Sequence, residues 1–406
     1  MRKDKVGGER CESGFRAVIR VGLCTNTDDD SRAFAIKPFS TTRAYNSIDH
    51  INTNLLTSIT MRSSRTIHIV GVHAEGEVCD VIVGGVSDPR HCTSMYEKLA
   101  YFRDEADETR QLLMQEPRGR SSQCMNMLLS PCDPQADAAF LTLESDEYPP
   151  MSGANTIATT TVLLETGIVP MRDPITELKL DTAAGLIGVT AECEAGKCKT
   201  VAFHNVPSFV YVLDLKVDVP DVGIVSVDIA WGGMHYVLVD ASSVGLAINN
   251  ACGSKLIEVG EKIKAAVQKC YTPVHPTNSE IRGVTILEFT DPLQTASDGS
   301  KIATNTVVVS PGRFDRSPCG TGTSARMAVL HARGELKEGE TFYHKSIIGT
   351  QFTCTIRGTA KVGDYDAVLP TVKGRAWLTG FRQSMLDPTD PFPLGYRVGD
   401  HWPPAA

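Results

Sequence analysis

From residue 66 onward, apolar and polar side chains alternate in short runs with a period of two, the signature of half-buried strands. The pattern predicts strands over 66–72 and 78–83, near 125–129 and 138–144, and over 177–180, 186–192, 200–205, 223–230 and 236–240. Two more follow over 284–289 and 305–310, ahead of a strand-rich tail. Helical spacing interrupts this rhythm in four places. A charged helix is expected across 94–114, and another runs from 153 to about 165. In the third, Leu256, Val259, Ile263 and Val267 recur at three- and four-residue steps, giving one apolar stripe suited to packing on a sheet. The fourth begins at Cys319. Few helices among many strands make this an α+β chain.

Two of those helices match each other well in sequence. "SGANTIATTTVLLETG" (152–167) aligns without a gap on "CGTGTSARMAVLHARG" (319–334), matching Gly153 with Gly320, Thr156 with Thr323, Ala158 with Ala325 and Gly167 with Gly334. Each stretch follows a proline-containing turn, opens on small residues suited to a helix cap and stops at a glycine suited to the position after the last turn. The repeat implies two lobes of one architecture. Each lobe then presents one side chain at a helix N-terminus, Ser152 in the first and Cys319 in the second. The free N–H groups of such a start can hold a carboxylate, and they favour a thiolate by lowering a thiol pKa that begins near ~8.5.

Composition removes several classes of function. At 406 residues the chain exceeds the usual size of a single core, which again favours two lobes. No apolar run approaches the ~18–20 residues needed to cross a bilayer. A net charge of −8 without a basic block supplies no attraction for nucleic acid, so neither membrane nor nucleic acid is an expected partner. The twelve cysteines are scattered, with no CxxC pair and no secretory signal pattern, which fits a reducing, cytoplasmic setting. Cys193 and Cys198 in "CEAGKC" bracket a Gly-Lys turn and read as a hairpin tip rather than a metal site, and "DGS" at 298–300 reads as a turn. Cys79, Cys252, Cys270 and Cys354 read as core or bystander thiols, whereas His73, Glu75 and His235 are weighed as cleft residues against plain structural roles. Residues 1–60, with "TDDDSR" and weak periodicity, read as a disordered extension, a targeting segment or a gene-prediction artefact, and the Asp28-Asp29-Asp30 cluster argues against an acid-poor presequence.

From about Met61 to about Val398 the chain resembles the proline racemase family, which includes hydroxyproline 2-epimerases and trans-3-hydroxy-L-proline dehydratases. The resemblance is carried in order by "HIVGVHAEGEVCDVIVGG", "LLMQEPRGR", "YPPMSGANTIATTTVLLETGIVP", "IAWGGMHYVLVD", "DRSPCGTGTSARMAVLHARGEL" and "GRAWLTGFRQSMLDPTDPFPLG". It implies two similar lobes, each a strand-rich sheet around a central helix as in diaminopimelate epimerase-like folds, with the active site in the cleft between them. Residues 61–205 with 376–398 would form the lobe carrying Ser152, and 206–375 the lobe carrying Cys319. It implies a cofactor-independent enzyme acting on a small molecule, 3-hydroxyproline, 4-hydroxyproline or proline, and it is compatible with a homodimer. By position, Cys319 is one catalytic thiol and Ser152 stands in the place of the other. Asp315 matches the acid that contacts the ring nitrogen, and Gly153, Gly320 and Thr321 sit where backbone amides hold the substrate carboxylate. Ala154 occupies the place of a histidine that helps bind the substrate amine.

The departures at 152 and 154 bear on the reaction. Racemisation wants an acid and a base of matched strength on the two faces of Cα, and a serine hydroxyl is a much weaker acid than a thiol. One competent base suffices for a different outcome, removal of the Cα proton from a 3-hydroxyproline with loss of the β-hydroxyl. Dehydration of trans-3-hydroxy-L-proline to 1-pyrroline-2-carboxylate is therefore favoured over hydroxyproline epimerisation, with proline racemisation third. A homologue that binds a cyclic amino acid without turning it over is the alternative of another class.

Overall fold

In the computed structural model, which describes residues 63–400 and 402, the chain folds as two halves of matching order. The expectation for residues 1–60 lies outside the described residues. The first half runs β1 (Arg65–Ala74), β2 (Glu77–Gly84), α1 (Met95–Asp104), α2 (Glu108–Met114), β3 (Cys124–Leu129), β4 (Ala138–Leu143), α3 (Gly153–Glu165), β5 (Ile175–Thr182), β6 (Gly185–Glu194) and β7 (Lys197–His204). The second opens with β8 (Ser208–Val219), β9 (Gly223–Trp231), β10 (His235–Asp240), α4 (Gly253–Cys270), β11 (Val274–His275) and β12 (Asn278–Arg282). It continues through β13 (Ile286–Thr290), β14 (Gln294–Thr295), β15 (Lys301–Val309), β16 (Arg313–Asp315), α5 (Gly320–Ala332), β17 (Phe342–Lys345), β18 (Gln351–Val362) and β19 (Tyr365–Gly374). Finally β20 (Ala376–Leu386) returns to pair with β1.

The pairing repeats step for step. From β1 to β7 neighbours pair in chain order, antiparallel except for the parallel pairs β2–β3 and β4–β5. From β9 to β19 the order is β9, β10, β13, β15, β17, β18, β19, with parallel pairs again at the second and fourth steps. Strand β8 joins β9 to β19 and closes the second set into a ring, while β7 also pairs with β19 and ties the halves together. Each set of strands wraps one helix. Every residue of α3 from Gly153 to Leu164 is buried, as is α5 from Gly320 to Leu330 apart from Arg326. A buried helix can carry this many threonines because their hydroxyls bond back to the preceding turn, as Thr160 Oγ1 does to the Thr156 carbonyl at 2.8 Å and Thr161 Oγ1 to that of Ile157 at 2.9 Å. Among the described residues, no helix is long and apolar enough to cross a membrane.

Three local expectations need correction or sharpening. The single helix expected across 94–114 is two, because Asp107 starts a new one: its carboxylate accepts from Arg110 Nε at 2.7 Å, Gln111 Nε2 at 2.8 Å and the Tyr148 hydroxyl at 2.9 Å. The break is silent in the pattern, since Leu99 and Phe102 on one side and Leu112 and Leu113 on the other enter the same apolar cluster. Strand β8 is an addition to the expected elements, although Leu213, Leu215, Val217 and Val219 alternate with Asp214, Lys216 and Asp218; two register shifts between Val210 and Leu215 and a positive φ of 56° at Asp214 make it irregular against β9. The Cys193–Cys198 segment is a hairpin tip with the two cysteines in register, but its turn residues are Ala195 and Gly196, whose φ values of 51° and 77° suit a type I′ turn.

Candidate active site

The starts of α3 and α5 meet head to head. A Cβ on Gly153 would stand 2.6 Å from the Cα of Gly320 and 2.6 Å from the Phe203 ring, and a Cβ on Gly320 would meet Gly153 and Phe203 in the same way. Glycine at both positions is therefore a packing requirement. The first intrahelical bonds run from Thr156 N to the Ser152 carbonyl at 2.9 Å and from Thr323 N to that of Cys319 at 2.8 Å. Earlier N–H groups of both helices lack a helical acceptor, so two positive helix ends converge on one spot. Gly320→Ala is expected to cost on the order of 1–3 kcal/mol in urea unfolding, and an unchanged midpoint would show that the two helix starts are not in contact.

Ser152 and Cys319 flank that spot, and their surroundings differ. Cys319 is 7% exposed and sits at φ 59°, ψ 107°, a conformation that a side chain rarely adopts and that costs of order 1–3 kcal/mol. The loop before it is pinned: Ser317 N donates to Asp315 Oδ1 at 2.8 Å, Cys319 N to Ser317 Oγ at 3.0 Å, and Asn305 Nδ2 to the Pro318 carbonyl at 2.8 Å. Cys319 Sγ lies 3.1 Å from the Tyr236 hydroxyl, which also meets Thr321 Oγ1 at 2.7 Å. Ser152 has relaxed extended backbone angles and does not cap its helix with its side chain. Its Oγ accepts from Asn155 Nδ2 at 2.8 Å, and Asn155 Oδ1 accepts from Asn126 Nδ2 at 2.7 Å. The neighbour of the serine is thus an amide, which is no base.

The thiol is not set low in this site. Burial pushes Cys319 well above its ordinary value, and the Asp315 charge adds to this, against hydrogen bonds from Tyr236 and the Gly322 amide. The expected influence of the helix start is present in that amide but is outweighed. Asp315 is itself raised, by burial first and then by Glu77. Behind the thiol lies Glu288, wholly buried and raised to about 7 by burial, whose Oε2 is 2.7 Å from the point a Cβ on Gly322 would take. Glycine at 322 leaves room for that carboxyl.

Ser152, Ala154, Asp315, Cys319 and Thr321 line one small cavity, with Gly153 and Gly320 at the helix contact beside them. Met234, Tyr236, Ile286 and Val309 form a largely apolar wall. The same cavity is lined by Glu77, Cys124, Glu144 and Arg313, none of which the sequence singled out, and Arg313 is the cross-strand partner of Val309. Arg313 Nη1 meets Glu77 Oε1 at 3.0 Å, while its Nη2 meets Glu144 Oε2 at 3.1 Å and Cys124 Sγ at 3.2 Å. One signal did exist: in an extended segment Arg313 shares a face with Asp315, so placing the second in a cleft places the first there too. His73 and Glu75 lie elsewhere. His73 stacks on Trp377 at 5.1 Å, and Glu75, at the β1–β2 turn, pairs with Arg375 Nε at 3.0 Å. His235 is buried beside the Tyr211 hydroxyl at 3.0 Å and lines an adjoining cleft that shares Met234 with the cavity.

Comparison with known proteins adds to this geometry. A family model described as proline racemase matches residues 69–397. A crystal structure of a hydroxyproline epimerase from Agrobacterium vitis, with bound trans-4-hydroxy-L-proline, is 38% identical over 84% of this chain and 97% of its own, with a TM-score of 0.78. A probable proline racemase from Agrobacterium radiobacter K84, with bound carbonate, is 39% identical over 83% of this chain and 98% of its own, also at 0.78. A PhzF-family phenazine biosynthesis protein from Bacillus anthracis shares the fold at a TM-score of 0.50, with 11% identity over 79% of this chain and 100% of its own.

Proposed function

The chain belongs to the proline racemase family, and from that premise we propose that it removes the Cα proton of a hydroxylated proline, most productively by dehydrating trans-3-hydroxy-L-proline. The observation that carries this reading is the unequal pair at the two helix starts: a thiol on one side, and on the other a hydroxyl whose partner is an amide.

The steps follow from the site. First-turn amides around Gly153, Ala154, Gly320 and Thr321 take the substrate carboxylate, and Asp315 takes the ring ammonium. The ammonium neutralises the charge on Asp315 that helps hold the Cys319 thiol up, so binding favours the thiolate at the moment it is needed. Cys319 then removes the Cα proton. The C–H electron pair becomes the C2–C3 double bond, the C3–O pair departs on oxygen, and that oxygen takes a proton and leaves as water. The enamine tautomerises to 1-pyrroline-2-carboxylate. Epimerisation of a hydroxyproline is the second reading, favoured by Ser152 and Cys319 flanking one anchor and by the 38% identity to a hydroxyproline epimerase. It requires Ser152 to return the proton, and an alcohol is a weak acid for that task.

Proton NMR of trans-3-hydroxy-L-proline incubated with the enzyme in D₂O tests both. Imine signals appearing as the Cα signal disappears are expected. Exchange of the Cα proton without imine would replace dehydration by epimerisation, and binding with neither would leave a non-catalytic binder.

A further inference from the structure

The charged wall of the cavity is an expensive piece of construction. Arg313 is 5% exposed, Glu77 2% and Glu144 7%, and a buried ion cluster of this kind is commonly no more stable than apolar side chains of similar volume. Its hydrogen bonds are unevenly committed. Glu77 uses both oxygens, Oε1 on Arg313 and Oε2 on the Arg316 amide at 2.7 Å. Glu144 reaches Arg313 through Oε2 and also takes a hydrogen bond from Cys124, and among the described residues the buried Nε of Arg313 has no hydrogen-bond partner. A donor and an acceptor thus stand together in the lining of the cavity, next to the apolar side chains of Met234, Ile286 and Val309. A proline ring bearing a hydroxyl matches this mixed lining, because methylenes suit the apolar side chains and a hydroxyl both accepts and donates.

We infer that Arg313 and Glu144 form a subsite for a hydroxyl on the substrate ring, so that hydroxyprolines are turned over in preference to proline. This rests on the Cα-proton chemistry proposed above. Arg313 donates to the hydroxyl oxygen, and Glu144, when ionised, accepts from its proton. When the hydroxyl is on C3, a protonated Glu144 hands its proton to the departing oxygen as the C3–O bond breaks. The proton that Cys319 took from Cα then returns Glu144 to its acid form through solvent, and the balance is loss of one water. Burial, reinforced by Glu77, raises Glu144 and so supports a carboxyl able to hold that proton.

The test is a ratio. Wild-type kcat/KM for trans-3-hydroxy-L-proline is expected to exceed that for Cα exchange of L-proline by at least about 100-fold. Glu144→Gln is expected to lower that ratio by at least about 100-fold. Arg313→Lys, which keeps the cation and loses the Nε–H, is expected to lower it by at least about 10-fold and serves if the first variant does not fold. An unchanged ratio in a folded variant overturns the subsite, as does a wild-type ratio near one. Absence of Cα exchange with every substrate in the wild type overturns the proposed reaction itself, an outcome distinct from a ratio that does not move.

Discussion

Cys319→Ser is expected to lower Cα proton exchange by about 10⁴-fold or more while leaving the unfolding midpoint close to wild type. The loss follows from acidity: a serine hydroxyl ionises far less readily than a thiol, and the position is already hostile to a negative charge because it is buried beside Asp315. The other helix start does not compensate, since it offers a hydroxyl held by Asn155. Folding is insulated because the oxygen keeps the geometry of the sulfur, and the residue at 319 has the same unusual φ in either case. Wild-type kcat/KM should rise with pH, because a thiol raised by burial becomes thiolate only as the solution turns alkaline, and the variant should lack that rise. Deuterium incorporation at Cα between pH 6 and 9 provides the check. Activity within ten-fold of wild type would mean that another group takes the proton.

Arg313→Met is expected to be the most damaging substitution for stability, at about 3–5 kcal/mol. It leaves Glu77 and Glu144 buried side by side without their shared cation. The loss should depend on pH in a defined direction. A carboxyl whose folded-state pKa lies above its unfolded value contributes stability at low pH and loses it as the pH rises through the raised value. Glu144 is raised already, by burial, and removing the guanidinium raises it further. The deficit of the variant should therefore be small near pH 5 and large near pH 8. Combining Arg313→Met with Glu77→Gln and Glu144→Gln should recover most of the midpoint while leaving the enzyme without ring-hydroxyl preference. Urea unfolding at the two pH values decides this, and an equal deficit at both would show that repulsion between the carboxylates is not the cause.

How much of this was legible beforehand depended on distance along the chain. The two helix starts, with Ser152 and Cys319 at corresponding positions, were visible because a helix writes its start, stripe and stop into consecutive residues. Strand pairing in the second half repeats that of the first, which the helix repeat foreshadowed. The charged wall was hidden for the opposite reason: Arg313 and Glu77 meet across 236 positions, and no local rule connects them. Glu77 also follows Glu75 by two residues in the same motif, and the sequence drew attention to the wrong one, whose carboxyl turns to Arg375 at the hairpin. Cys124, which nothing in the local sequence distinguishes, lies 3.2 Å from Arg313 Nη2 for the same reason. The direction of the Cys319 shift was misjudged because a helix start is a local feature and burial is a global one.

The positive φ at Cys319, set against the extended backbone at Ser152, makes the two helix starts unlike in the main chain as well as in the side chain. Ser152→Cys would therefore place two thiols at the helix starts without making them equivalent, because the partners would still approach Cα from differently shaped loops.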